Sequence, residues 1–261
     1  MDIAAITANQ IQAFILIFIR IVTMVALMPV LGSQNIPTQI KIGLAFVIAV
    51  VIYPAVIHNG FPAFPTNTGI FIVMLIKESF TGIIIGYVAS LLFTIIQFAG
   101  YLVDSLAGFT FVELVDPSSD SSVSVFGQFN IIIFTVMFLL FNGHYFLLLA
   151  IQKSFEVIPL LGAHIPIGKM MPFLIKAVGS IFVLGFKFAA PVYVTLLLTQ
   201  VSMGVVAKTA PQINVYFVGI PLNIIIAFSV TVIVFPGLAT MFKKMIDMMT
   251  QDIWRLIYMM A

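Results

Sequence analysis

The sequence predicts an all-α membrane protein with about six apolar helical segments, some of them kinked or broken. Three observations carry this expectation. Apolar residues make up 62% of the 261-residue chain and charged residues 8%, too few to clothe a soluble domain of this size. The apolar residues fall in long blocks, and a run of about 18 or more can cross the roughly 30 Å hydrocarbon layer as a helix. Polar or Gly/Pro-rich stretches separate the blocks, as connectors should.

The first block, Ile11–Leu31, carries Arg20 in its middle. A signal-peptide core rarely tolerates such a charge, and the start of the chain lacks a basic n-region, so the block reads as a retained helix. The second is Ile40–Ile57. The third, Ile70–Ala99, contains the adjacent charges Lys77 and Glu78. It also holds Gly82 and Gly86, a small-xxx-small pair suited to close helix approach. The fourth is Phe129–Ile151. The fifth, Phe173–Ala207, contains Lys176, Lys187 and, near its middle, Pro191, where the missing N–H predicts a kink or break. The sixth is Ile213–Phe242. The connectors are Gly32–Gln39, His58–Thr68, Asp104–Gln128, Gln152–Pro172 and Lys208–Gln212.

A charge at mid-bilayer costs about 2.5–3.5 kcal/mol. Arg20, Lys41, Lys77, Glu78 and Lys187 are therefore expected to face protein, water or headgroups. Two readings stand: a polar path or contact with another subunit, or snorkelling from helix ends, which suits Lys77 and Lys176 best. With six single crossings, positive charge puts both termini in the cytoplasm.

The connector Asp104–Gln128 holds four of the nine acidic residues and no basic one. Its first half is apolar, with Leu106, Gly108, Phe109, Phe111, Val112 and Leu114. Its second is acidic and turn-forming, with Glu113, Asp116, Pro117 and Asp120. An apolar stretch too short to span and flanked by acids suits a re-entrant or pore-lining loop. A plain extracytoplasmic loop is the alternative. The tail, residues 243–261, divides from the membrane-embedded part, 1–242, as an amphipathic helix. Phe242, Met245, Ile246, Met249, Ile253, Leu256 and Ile257 share one face, which suits either a partner or the membrane surface.

Composition also excludes chemistry. A net charge of +2, thinly spread, is no nucleic-acid footprint, and the absence of cysteine removes disulfides, iron–sulfur clusters and thiolate zinc sites. The three histidines share no metal-ligand spacing. Gly162 to Gly168-Lys169 is one residue too long for a phosphate-binding loop, and Met170 stands where Ser or Thr belongs. No hydrolase or zinc-protease motif occurs, so the expectation is not an enzyme, with no catalytic, cofactor or metal residues.

An ordered series of motifs resembles the FliR family of flagellar export-gate proteins, which has relatives in virulence injectisomes. The series opens with Phe18-Ile19-Arg20, Pro29, Gly32-Ser33, Ile36-Pro37 and Lys41-Ile42-Gly43. It continues with Glu78, Gly82 and Gly86, then Gln97, Gly100, Gly108-Phe109 and Asp116-Pro117, then Asn142-Gly143-His144 and Ser154-Phe155. It closes with Ala210-Pro211-Gln212-Ile213-Asn214 and Val218-Gly219-Ile220-Pro221-Leu222. The series covers nearly the whole chain and departs at Asn223, where many relatives have lysine.

The resemblance implies a single copy of this chain in a helical hetero-oligomer with five FliP and four FliQ subunits. FlhB wraps around them, and the gate conducts unfolded flagellar subunits at the basal body in the bacterial inner membrane. It implies that the complex is raised toward the periplasm and that Leu106–Ser122 is the plug of the channel. Arg20, Lys41, Lys77, Glu78 and Lys187 would then serve subunit contacts, and Gly82, Gly86, Pro191 and Pro221 packing. An injectisome homologue and a self-contained small-solute transporter are the competing readings.

Overall fold

The computed structural model describes residues 3–33, 35–57, 67–109, 124–160, 162, 166–212 and 214–261, with side chains from residue 9 onward. Among the described residues all regular structure is helical. The helices are α1 (Ile3–Leu27), α2 (Thr38–Ile57), α3 (Thr68–Ala107), α4 (Val125–Leu140), α5 (Gly143–Val157), α6 (Ile167–Thr209) and α7 (Val215–Met260). Five are long and apolar enough to cross a membrane, and the bent pair α4–α5 makes a sixth if counted as one.

The apolar blocks become helices, most of whose ends lie further out than hydropathy placed them. The first, however, stops at Leu27, short of Leu31, and the last starts at Val215, after Ile213. α3 continues past Ala99 through Asp104 to Ala107, and α4 starts at Val125, ahead of Phe129. The connector between them is shorter at both ends. Asp104 and Gln128, the polar residues that marked its limits, sit inside helical turns.

The fourth block is two helices rather than one. α4 ends at Leu140 with Phe141 as its C-cap, and Asn142 adopts the left-handed conformation, φ 58 and ψ 27, before α5 begins. Asparagine enters that region more readily than most residues. Of the kink or break expected at Pro191, a break is absent, because α6 runs unbroken through it. Proline removes one bond from the ladder, and in apolar surroundings the remaining backbone groups have no better partners than each other. The Thr195 hydroxyl donates to the Pro191 carbonyl at 2.8 Å in the next turn.

No helix boundary separates the tail from the sixth block, since α7 is continuous to Met260. The apolar face of the tail is buried, and Lys243, Lys244, Asp247, Gln251 and Arg255 are exposed. The amphipathic pattern is therefore used inside the chain. It is not left for lipid or a partner.

The helices form two compact units. The first comprises Met1–Leu91, Asn142–Lys176 and Asp247–Ala261. Its core includes Leu16, Ile17, Ile21 and Met24 of α1, Ile85 and Ala89 of α3, and Leu256 and Ile257 of α7. Phe46 of α2 meets Phe14 and Phe18 of α1 edge-on, with ring centroids 5.5 and 6.1 Å apart. The second unit comprises Leu92–Phe141 and Ala177–Ile246. There Phe134 packs on Phe188 at 5.0 Å and Phe242 at 4.7 Å. A Cβ on Gly100 would overlap the backbone of Gly127, so α3 and α4 approach as only glycines permit.

Candidate functional site

Two polar clusters stand out, one in each unit. In the first unit Arg20 is completely buried, and its Nε donates to Glu78 Oε2 at 2.5 Å. Its Nη1 donates to the carbonyls of Ser154 and Ile158, both at 3.0 Å. These carbonyls lie in the last turn of α5 and at the residue just past it, where the helix dipole is negative. The Ser154 carbonyl also accepts from the Ile158 N–H at 3.0 Å. The guanidinium carbon also lies 4.3 Å from the centre of the Phe155 ring. One side chain thus ties α1 to α3 and to the end of α5. A buried charge is tolerable only when paired and hydrogen-bonded, and this one is both.

This geometry corrects the expectation that Arg20 and Glu78 serve contacts with another subunit. Arg20 is 0% and Glu78 1% exposed, so the pair is spent within the chain. Beside it, Gly82 and Gly86 let α3 press on α1. A Cβ on Gly82 would overlap Thr23 Oγ1 and the Arg20 carbonyl, and one on Gly86 would lie 2.8 Å from the Met24 carbonyl oxygen. Lys41 Nζ donates to the Gly32 carbonyl at 2.9 Å and closes the connector ahead of α2. Lys77 and Lys187 are exposed, Pro191 is half-buried within α6, and Pro221 is exposed within α7.

The second cluster lies where α3 ends and α4 begins. Of the expected plug residues, Leu106, Gly108 and Phe109 are described, whereas Phe111, Val112, Glu113, Leu114, Asp116 and Pro117 lie outside the described residues. The Leu106 carbonyl accepts from Gln200 Nε2 of α6 at 2.9 Å and from Asn223 Nδ2 of α7 at 3.2 Å. Gly108 has φ +92, and a Cβ there would lie 3.1 Å from Ile220 Cγ1. The Asp104 carboxylate accepts from the Phe126 N–H at 3.1 and 3.3 Å, and the Ser124 hydroxyl accepts from the Gly127 N–H at 2.8 Å.

Sequence reasoning marked Asp104 only as an acid at the start of a loop, and Asn223 only as a departure from a pattern. It did not single out Gln200 or Ser124. Ser124, just ahead of an apolar run, carries a readable helix-start signal. Gln200 does not, because its partner is 94 residues away.

The chain matches the family described as "Bacterial export proteins, family 1" over residues 11–249. It is 31% identical to the flagellar biosynthetic protein FliR of Bacillus subtilis (strain 168), over 85% of each chain. It is 26% identical to FliR of Escherichia coli (strain K12), over 85% of this chain and 83% of that one. It is 27% identical to the surface presentation of antigens protein SpaR of Shigella flexneri, over 81% of this chain and 80% of that one.

Proposed function

Because the chain belongs to family 1 of the bacterial export proteins, we propose that it is a structural, channel-forming subunit of the flagellar type III export apparatus. In this reading one copy assembles with FliP, FliQ and FlhB in the inner membrane at the flagellar basal body, and the assembly conducts unfolded flagellar subunits. The FliR relatives support the flagellar setting, and the SpaR relative keeps an injectisome setting as the second reading.

The observation that carries the assembly is the length of exposed apolar surface on α6. Ile167, Ile175, Phe182, Val194, Leu198 and Val205 are all exposed along this single uninterrupted helix. At 1.5 Å per residue they span about 57 Å, against about 30 Å of hydrocarbon. Hiding all of it in lipid would need a tilt of about 58°, beyond the usual range of up to roughly 40°. The remainder calls for other protein, and this also fits an assembly raised toward the periplasm. A self-contained transporter would have no use for such surface.

In this reading Leu106–Ser122 plugs the channel. Bulky apolar groups such as Phe109 and Phe111 exclude water, and each contributes only about 1.5–3 kcal/mol on burial, so a passing chain can displace them. Two experiments test the proposal. Expression with FliP and FliQ should give a co-purifying complex in mild detergent, whereas a folded, monodisperse chain purified alone would refute the assembly role. Deletion of 108–114 should leave the complex assembled but leaky to ions. A deleted complex as tight as the parent would show that the segment is not the seal.

A further inference from the structure

We propose that Asp104 is a positioning residue that clasps the end of α3 to the start of α4, with Gln200 and Asn223 holding the same turn from α6 and α7. Its carboxylate is 1% exposed and receives the Phe126 N–H through both oxygens. That N–H is one of the four at the start of α4 that no helical carbonyl can reach. Ser124 satisfies a second, from the Gly127 N–H, so the helix start is capped partly by its own residue and partly by another helix. A negative charge is favoured at this end of a helix dipole, which is why an acid suits the place better than an amide.

Two residues further on, the Leu106 carbonyl lies in the last turn of α3, where carbonyls run out of helical donors. Two amide side chains, 94 and 117 residues away in sequence, converge on it. The Asn223 amide is oriented by this bond, since the opposite orientation would set its Oδ1 against the carbonyl oxygen. The chain then turns at Gly108, with Ile220 against it. Both points from which residues 110–123 depart are therefore held by named side chains. The inference rests on reading the intervening segment as the seal only for its functional consequence, not for the clasp itself.

The chain has no cysteine, so Phe109→Cys supplies a single thiol beside the clasp. The full chain, co-expressed with its export partners, is labelled in membranes with a polar maleimide. Loss of a buried polar partnership opens such a site by tenfold or more, so Asp104→Leu should raise the labelling rate about tenfold. Asp104→Asn keeps one acceptor oxygen and should stay within about threefold of the parent. Asn223→Leu removes a single bond and should show a smaller rise than Asp104→Leu. This variant carries the test if Asp104→Leu fails to accumulate. Unchanged labelling in Asn223→Leu, and in Asp104→Leu where it accumulates, would overturn the clasp. So would Asp104→Asn labelling as fast as Asp104→Leu. Ion leak across the same membranes is measured in parallel. Faster labelling without leak would leave the clasp standing and remove the seal reading instead.

Discussion

The Arg20 guanidinium and the Glu78 carboxylate, 58 residues apart in sequence, meet at 2.5 Å with neither side chain more than 1% exposed. Arg20→Leu takes the counter-charge from a buried carboxylate and removes the guanidinium donor from the carbonyls of Ser154 and Ile158. Breaking a buried pair in this way costs about 3–5 kcal/mol, a large share of a total near 5–15 kcal/mol. The variant should be nearly absent from membranes by immunoblot. Arg20→Lys should recover only part of the loss, because one ammonium cannot reach the carboxylate and both carbonyls in the fixed fork that guanidinium provides. Lys153, which pairs with Glu156 on the surface, is the control, and Lys153→Leu should accumulate normally. Equal amounts of the Arg20→Leu and Lys153→Leu chains would show that the pair does not hold the first unit together.

Gly82→Ala and Gly86→Ala should each destabilise the contact of α1 with α3. The added methyl meets backbone carbonyls, which cannot step aside as a flexible side chain would. Overpacking of this kind costs about 1–3 kcal/mol. Gly43→Ala, with nothing within 4 Å of the new carbon, should be neutral or slightly stabilising. Thermal unfolding of the purified complex in detergent separates the two groups, and a Gly43→Ala shift as large as that of Gly82→Ala would contradict the packing argument.

Val30 lies in the connector after α1 with φ 67, where its branched side chain crowds the backbone. Left-handed backbone at such a residue costs about 1–2 kcal/mol. Val30→Asn should relieve it and raise the unfolding temperature, whereas Val30→Ile should not. A fall in unfolding temperature with Val30→Asn would mean that packing of the valine outweighs the strain.

Gly108→Ala meets two penalties, the positive φ and the Ile220 side chain. Ile220→Ala should restore the steric part and leave the backbone part, of about 1–2 kcal/mol, in place. Swimming halos should therefore shrink in the single variant and recover only in part in the double. Full recovery would show that φ at this position carries no cost.

The helices were legible because a membrane-type helix announces itself locally. A long apolar run needs no knowledge of its neighbours to be read, and six such runs became the helices observed. The amphipathic face of the tail was legible for a similar reason, since 3.6-residue periodicity is written in consecutive residues. Its destination was not, because the same face would fit lipid, a partner or the chain's own core. The unbroken course of α6 through Pro191 was likewise hidden, since a proline weakens a helix locally while the surroundings decide whether it yields.

Sequence alone determined that Arg20 and Glu78 had to be shielded from lipid, because the cost of an unshielded charge is a property of the residue and the solvent. It also marked Gly82 and Gly86 as points of close helix approach, though not the meeting of Gly100 with Gly127. Only the tertiary structure decided that the two charges neutralise each other, that α5 turns its last carbonyls toward Arg20, and that Asp104 caps a helix 22 residues further along the chain. The physical reason is range. Hydropathy and backbone propensity act over one helical turn to a few, while a hydrogen bond is made wherever folding brings a donor within about 3 Å of an acceptor, whatever the separation in sequence.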